Sequence, residues 1–168
     1  MKNLLCSMIV AFATLLAAPA SACECRFSAL DTQGARSADH VFVFRIVEAR
    51  MLDEVYVEAG IKVLQTLHGD ATPFRAARYT TRLCCGSRFD IGHVYIAFVH
   101  GNGSSFDANS GSVGDVTDID HDPDSELIRR VRSLLAGKST LAETLGTAAF
   151  DRINQVQPPP PPCKDFRQ

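Results

Sequence analysis

The longest apolar stretch of the chain lies near its start. Residues 4–18 are apolar apart from two hydroxyl side chains, Lys2 precedes them, and the small residues 20–22 follow. A positive residue, an apolar run and small residues at alternate positions are the three parts of a secretory signal peptide. The run is short for a membrane-crossing helix, which needs about 20 residues. The pattern predicts a signal peptide over residues 1–22 and a mature chain beginning at Cys23.

Five later stretches have the pattern of β-strands. Residues 41–47 are apolar on both faces, which predicts a strand buried on both sides, as in a small barrel. The next three predicted strands cover residues 54–67, 74–83 and 94–99, and Gly60 is expected to mark a bulge in the first of these. A polar, glycine-bearing run over residues 104–113 is a weaker fifth strand.

The pattern changes to a helical one after residue 121. Five apolar residues recur at helical spacing between Leu127 and Leu135, with Asp122 expected as N-cap, Pro123 as the first helical residue and Gly137 as the stop. A weaker helical turn is predicted over residues 140–145. Residues 26–38 have no strong period and are expected to be a connecting segment. Pro158–Pro162 predict an extended polyproline segment.

Five strands followed by a helix favour a mainly β fold, a five-stranded OB-type barrel with a C-terminal helix. An immunoglobulin-like sandwich is the alternative, but its buried tryptophan is missing because the chain contains no Trp. The expected organisation is a signal peptide over residues 1–22, one domain over residues 23–148, and a proline-rich tail over residues 149–168.

The mature chain keeps five of the six cysteines: Cys23, Cys25, Cys84, Cys85 and Cys163. Disulfides are the default for an exported protein, because the compartment is oxidising. The Cys-x-Cys pair and the Cys-Cys pair suggest two bonds between Cys23, Cys25, Cys84 and Cys85, with the connectivity and the role of Cys163 left open. Zinc is the alternative, but neither pair has the usual ligand spacing.

Charge and motifs exclude several classes of function. A net charge of −2 is too small to favour nucleic acid as a partner. No later apolar run is long enough to span a bilayer, so the mature chain is expected to be secreted or periplasmic. The five histidines show no paired spacing and no Gly-x-Ser-x-Gly motif occurs, so no enzyme and no cofactor are expected.

The order of these motifs resembles one known family. The mature start Cys23-Glu24-Cys25, the strand segment 37–44, the stretch 61–69 ending in glycine, and Cys85-Gly86 followed by Val94-Tyr95-Ile96-Ala97 resemble the tissue inhibitors of metalloproteinases and the wider netrin-like (NTR) domains. The resemblance covers residues 23–113 and implies an OB-type barrel. Two cysteines of the family pattern are missing here, and no disulfide-rich second lobe follows, so a single-lobe version is implied.

The resemblance implies a chemistry for the first mature residues. In these inhibitors the α-amine and carbonyl oxygen of the first residue chelate the catalytic zinc of a protease, at the position that a catalytic zinc leaves open for water. Cys23 would be that chelating residue, Cys25 would hold the strand behind it, and Glu24 would enter the specificity pocket. A carboxylate there implies a secreted zinc metalloprotease with a basic pocket.

A second hypothesis is an NTR-type binding module without zinc chelation. Residues 20–23 fit the end of a lipobox, although leucine is missing at its first position. An acylated Cys23 has no free amine, so lipid anchoring and zinc chelation exclude each other.

Overall fold

The computed structural model describes residues 30–81, 86–108, 112–119 and 121–146. Within them the order of elements is α1 (Thr32–Ser37), β1 (His40–Met51), β2 (Tyr56–His68), β3 (Ala76–Thr80), β4 (Val94–Val99), β5 (Ser105–Asp107), β6 (Val113–Asp115), α2 (Glu126–Leu135) and α3 (Leu141–Leu145). The fold is mainly β: six strands form one curled half-barrel sheet with short helices. The predicted class, a β barrel followed by a C-terminal helix, is confirmed at this level.

The sheet has the strand order β5-β3-β2-β1-β4-β6. All pairs are antiparallel except β3 with β5, which is parallel. The predicted fifth strand is divided into β5 and β6, which lie at opposite edges of the sheet. Ala108 donates its N–H to Arg78 O at one edge, and Ser112 O accepts from Phe98 N at the other. Few residues separate Ala108 from Ser112 in the chain, so the two edges must lie close together and the sheet curls.

The first part of β1, residues 40–44, is buried on both faces, as its apolar pattern predicts, whereas Val47, which the prediction included in the buried strand, is half-exposed. Val41, Phe42, Val43 and Phe44 are all fully buried. The even-numbered residues face the concave side, where they join an aromatic cluster with Phe74, Tyr95 and Phe106. The odd-numbered residues face the convex side and pack against α1, α2 and α3. The core therefore has two layers, one inside the curled sheet and one beneath the helices.

The predicted bulge near Gly60 is present in the β1–β2 pair, but β2 itself is continuous. The register shift lies on the opposite strand, where Ile46 pairs with Ile61 and Glu48 with Gly60, leaving Val47 as the extra residue. The side chain of Glu48 covers Gly60, because a Cβ at Gly60 would lie 2.7 Å from Glu48 Cγ. Because the bulge adds one residue to β1, the residues of this strand that face the concave side change from even-numbered to odd-numbered beyond it.

Both helical predictions are confirmed in type, and only the start of α2 is corrected. The N-cap of α2 is Ser125, whose Oγ accepts from Ile128 N at 3.3 Å, whereas Asp122 O accepts from Ser125 N within the preceding turn. Pro123 therefore lies before the helix. In α3, Thr140 and Glu143 form a capping box.

The expectation of a connecting segment over residues 26–38 is wrong for its second half, which forms α1. The Asp31 carboxylate caps this helix by accepting from Gly34 N at 2.6 Å. Ala35 is fully buried, and Arg36 donates to the carbonyl oxygens of Leu134 and Ser139. Contact with α2 and α3 stabilises a helix whose six residues are too few for a clear hydrophobic period.

Candidate protein-binding surface

The cysteines and Glu24, on which the sequence-based site depends, lie outside the described residues. This applies to Cys23, Glu24, Cys25, Cys84, Cys85 and Cys163. The signal peptide and the proline-rich tail lie outside them as well. The structure therefore bears on this site through the residues that flank Cys84 and Cys85 in the chain.

Both flanks of the Cys84–Cys85 pair are held beside the turn that joins β1 to β2. Thr81 donates its N–H to Val55 O at 3.1 Å, and Ser87 donates to Thr80 O at 2.7 Å. Gly86 touches the same strand end, since a Cβ there would lie 2.6 Å from the carbonyl oxygen of Thr81. The chain thus leaves and re-enters the described structure at the same end of the half-barrel.

The β1–β2 turn is ordered by one carboxylate. Asp53 Oδ1 accepts from Tyr56 N at 2.7 Å and from Val55 N at 2.8 Å. These hydrogen bonds, the one from Tyr56 first, lower the pKa of Asp53. Asp53 thereby stays ionised over a wider pH range and closes the turn between the two longest strands.

The loop between β3 and β4 is fastened to the same end at two further points. Asp90 donates its N–H to the hydroxyl oxygen of Tyr95 at 2.8 Å, and burial raises the pKa of that phenol. Gly92 donates to Ile46 O at 2.8 Å, and His93 O accepts from Ile46 N at 3.3 Å. Ile91 is held beside β1 by these bonds and is 61% exposed.

Exposed apolar side chains are concentrated at this end of the molecule. We call Val47, Met51, Leu52, Tyr56 and Ile91 the hairpin-end surface; they account for five of the six large hydrophobic residues that are exposed in the described structure. A solvated cleft of about 470 Å³ adjoins them, lined by Leu52, Tyr56 and Arg78 among others. Clustered apolar exposure is typical of a surface that binds another protein.

Charged residues cross the sheet beside this surface. Glu58 accepts from Arg50 on β1 at 2.5 Å and from Arg78 on β3 at 2.9 Å. Glu58 lies opposite Arg50 in the β1–β2 register and opposite Arg78 in the β2–β3 register. The hydrogen bond from Arg50, followed by that from Arg78, lowers the pKa of Glu58. Two guanidinium groups on one carboxylate leave this row with a net positive charge.

The histidines and acidic residues of the described ranges do not form a metal site. No group of three or more metal-ligating side chains occurs in these ranges. His93 Nδ1 lies 3.7 Å from Asp115 Oδ2, a single contact. His40 accepts from Asp70 N through Nδ1 and contacts Asn102 Oδ1 through Nε2, so it joins two turns. Among the same residues, no helix is long and apolar enough to cross a membrane.

The sequence interpretation missed the hairpin-end surface. It assigned Tyr56 to a strand and did not distinguish exposed from buried apolar residues there. One signal was available: Leu52 and Tyr56 lie on either side of a short segment that begins with the acidic pair Asp53-Glu54, a polar break typical of a turn, and apolar residues at a turn are commonly exposed. No protein-family model matches the chain, and no curated protein shows significant similarity to it.

Proposed function

We propose that this chain is a secreted protein similar to the tissue inhibitors of metalloproteinases, which inhibits a zinc metalloprotease through the α-amine and carbonyl oxygen of Cys23. The observation that carries the proposal is the position of Thr81 and Gly86. Both flank the Cys84–Cys85 pair, and both contact the end of the half-barrel where the hairpin-end surface is exposed.

Two disulfides from Cys23 and Cys25 to Cys84 and Cys85 would bring the mature N-terminus to this same end. The chelating atoms would then lie beside an apolar surface able to contact the protease around its active site. A terminus fixed in this way loses less conformational entropy on binding than a free one. The fold supports the proposal too, because a curled β sheet with a C-terminal helix is what the resemblance implies.

The first experiment measures the intact mass and N-terminal sequence of the protein from its native host, before and after reduction. The proposal requires a free Cys23 amine and four oxidised cysteines. Inhibition is then assayed on secreted zinc metalloproteases, including enzymes with a basic specificity pocket to accept Glu24. A lipid adduct on Cys23 would contradict inhibition and support the alternative, an anchored NTR-type binding module.

The decisive variant carries one alanine before Cys23. It moves the amine away from the zinc without altering the domain, so inhibition should be lost. The matched control carries the alanine after Gln168 and should inhibit as the unmodified protein does. Equal inhibition by both extended proteins would rule out chelation by the N-terminus, whatever the protease.

A further inference from the structure

The second half of β1 is an edge strand on the side away from β2. The β1–β4 register ends at the pair Arg45–Val94, and the last backbone contacts on that side are those of Ile46 with Gly92 and His93. Within the described ranges, no strand pairs with β1 on this side beyond those contacts. β1 itself continues to Met51, still paired with β2.

The free backbone groups of this edge can be assigned. Leu52 donates its N–H to Tyr56 O, so Leu52 faces β2. Because backbone groups alternate along a strand, the N–H and C=O of Ala49 and Met51 point away from β2. An edge that is neither covered nor paired is a template for a further strand. Val47 and Met51 are each half-exposed and add apolar surface there.

The sequence of this edge is complementary to itself. When two copies of Val47-Glu48-Ala49-Arg50-Met51 are laid antiparallel about Ala49, Glu48 of each lies opposite Arg50 of the other, and Val47 lies opposite Met51. Glu48 and Arg50 lie on one face of the strand. Their neighbours in the chain, Val47 and Met51, have exposed side chains. Opposite charges and apolar pairs at directly opposed positions both stabilise a sheet.

The backbone agrees with the same register. A two-fold axis at Ala49 makes Ala49 face Ala49 of the second copy with both N–H groups pointing across, the arrangement of a hydrogen-bonded antiparallel pair. Glu48 and Arg50 then occupy the adjacent closer pair. Met51 of the second copy then forms the last pair, opposite Val47, and Leu52 of the second copy lies beyond it next to the exposed Ile91, because Gly92 and His93 already occupy the outward side of Ile46.

We propose that the protein associates with a second copy of itself through the β1 edge, forming a two-fold dimer with a continuous sheet across Ala49. Charge complementarity favours a second copy of the chain as the partner of this edge, since the same five residues supply both halves of every pair. The contact is short, so association is expected to be weak and concentration-dependent. This inference does not depend on the proposed inhibitory function, because its test measures only the association of the chain with itself.

The test uses sedimentation velocity on the full mature chain with free thiols alkylated, from about 1 µM to about 1 mM. Glu48→Lys places a cation opposite Arg50, and Arg50→Glu places a second carboxylate opposite Glu48, so each variant alone should associate at least about tenfold more weakly than the wild type. An equimolar mixture of the two variants restores both opposite-charge pairs and should dimerise as the wild type does. Glu54→Lys, an equal charge change outside the paired residues, is the control and should dimerise normally.

Ala49→Pro supplies a test independent of the Arg50–Glu58 ion pair. It removes the central outward N–H, which β1 does not use within its own sheet, so the fold should persist while association is lost. Amides of Ala49 and Met51 should gain protection from hydrogen exchange as wild-type concentration rises. A wild type that stays monomeric, a Glu48→Lys variant that associates normally, or a mixture that stays monomeric would each overturn the proposal.

Discussion

Gly69 permits the closest backbone approach among the described turns. Its φ is +68°, and a Cβ there would lie 2.1 Å from Asp39 O and 2.7 Å from His40 Nδ1. The same turn places Asp70 N against His40 Nδ1 at 3.0 Å, where the ring accepts the hydrogen bond. The glycine therefore lets the turn after β2 pack directly on the start of β1.

We expect Gly69→Ala to destabilise the protein by about 2–4 kcal/mol, because it adds a backbone clash to the strain of a left-handed conformation. Gly92→Ala is the matched control: Gly92 has a φ of +88°, but nothing lies within 4 Å of a Cβ there. It should cost only the conformational strain, about 1–2 kcal/mol. Urea unfolding of both variants measures the difference, and equal losses would contradict the clash.

At the scale of elements, strands β1, β2 and β3 are joined on one face by Arg50, Glu58 and Arg78. Their hydrogen bonds to Glu58 hold its pKa below the ordinary value of 4.5. A carboxylate whose pKa is lower in the folded state stabilises the fold above its unfolded pKa. That contribution disappears as the pH falls through the folded pKa.

We therefore expect part of the stability to be lost below about pH 4.5 through protonation of Glu58. Glu58→Gln should be less stable than the wild type at pH 7 and should lose less on acidification. Asp53 and Asp70, whose pKa values are also lowered by hydrogen bonds, keep some acid sensitivity in the variant. Free energies of unfolding at several pH values test this, and parallel wild-type and variant curves would contradict it.

At the scale of the whole molecule, aromatic residues from distant parts of the chain fill the concave side. The Phe106 ring lies 5.6 Å from the rings of Phe42 and Phe44 and 5.9 Å from that of Phe74, in edge-on contacts. Phe106 belongs to β5, a strand of three residues whose only neighbour among the described strands is β3. Packing of this ring, together with the backbone hydrogen bonds of Ser104 O and Ala108 N to β3 and the residue before it, holds the edge of the half-barrel in place.

We expect Phe106→Ala to cost about 3–5 kcal/mol, because the cavity lies in a core that cannot collapse easily around it. Ile91→Ala removes a similar apolar side chain from an exposed position and should change stability by less than about 0.5 kcal/mol. Both are measured by denaturant unfolding at low protein concentration. A loss below about 1 kcal/mol for Phe106→Ala would show that β5 contributes little to the core.

Of the candidate site, the sequence predicted only the residues of the resemblance, from Cys23 to Cys85. Apart from the turn signal at Leu52 and Tyr56, the hairpin-end surface could not be derived from it, since apolar residues in a strand pattern have the same period whether buried or exposed. Val57 is buried and Tyr56 is half-exposed within one strand. What separates them is which neighbour covers each face, and that depends on strands distant in the chain.

The sequence by itself determined the type of the main elements and the two-sided burial of the first part of β1, because local hydrophobic period and caps are properties of adjacent residues. It also located the helix that begins at Glu126. The tertiary structure decided the division of the fifth strand, the bulge at Val47, the short helix at Thr32–Ser37 and the open edge near Ala49. Each of these depends on pairing or packing between segments far apart in the chain, which no local pattern encodes.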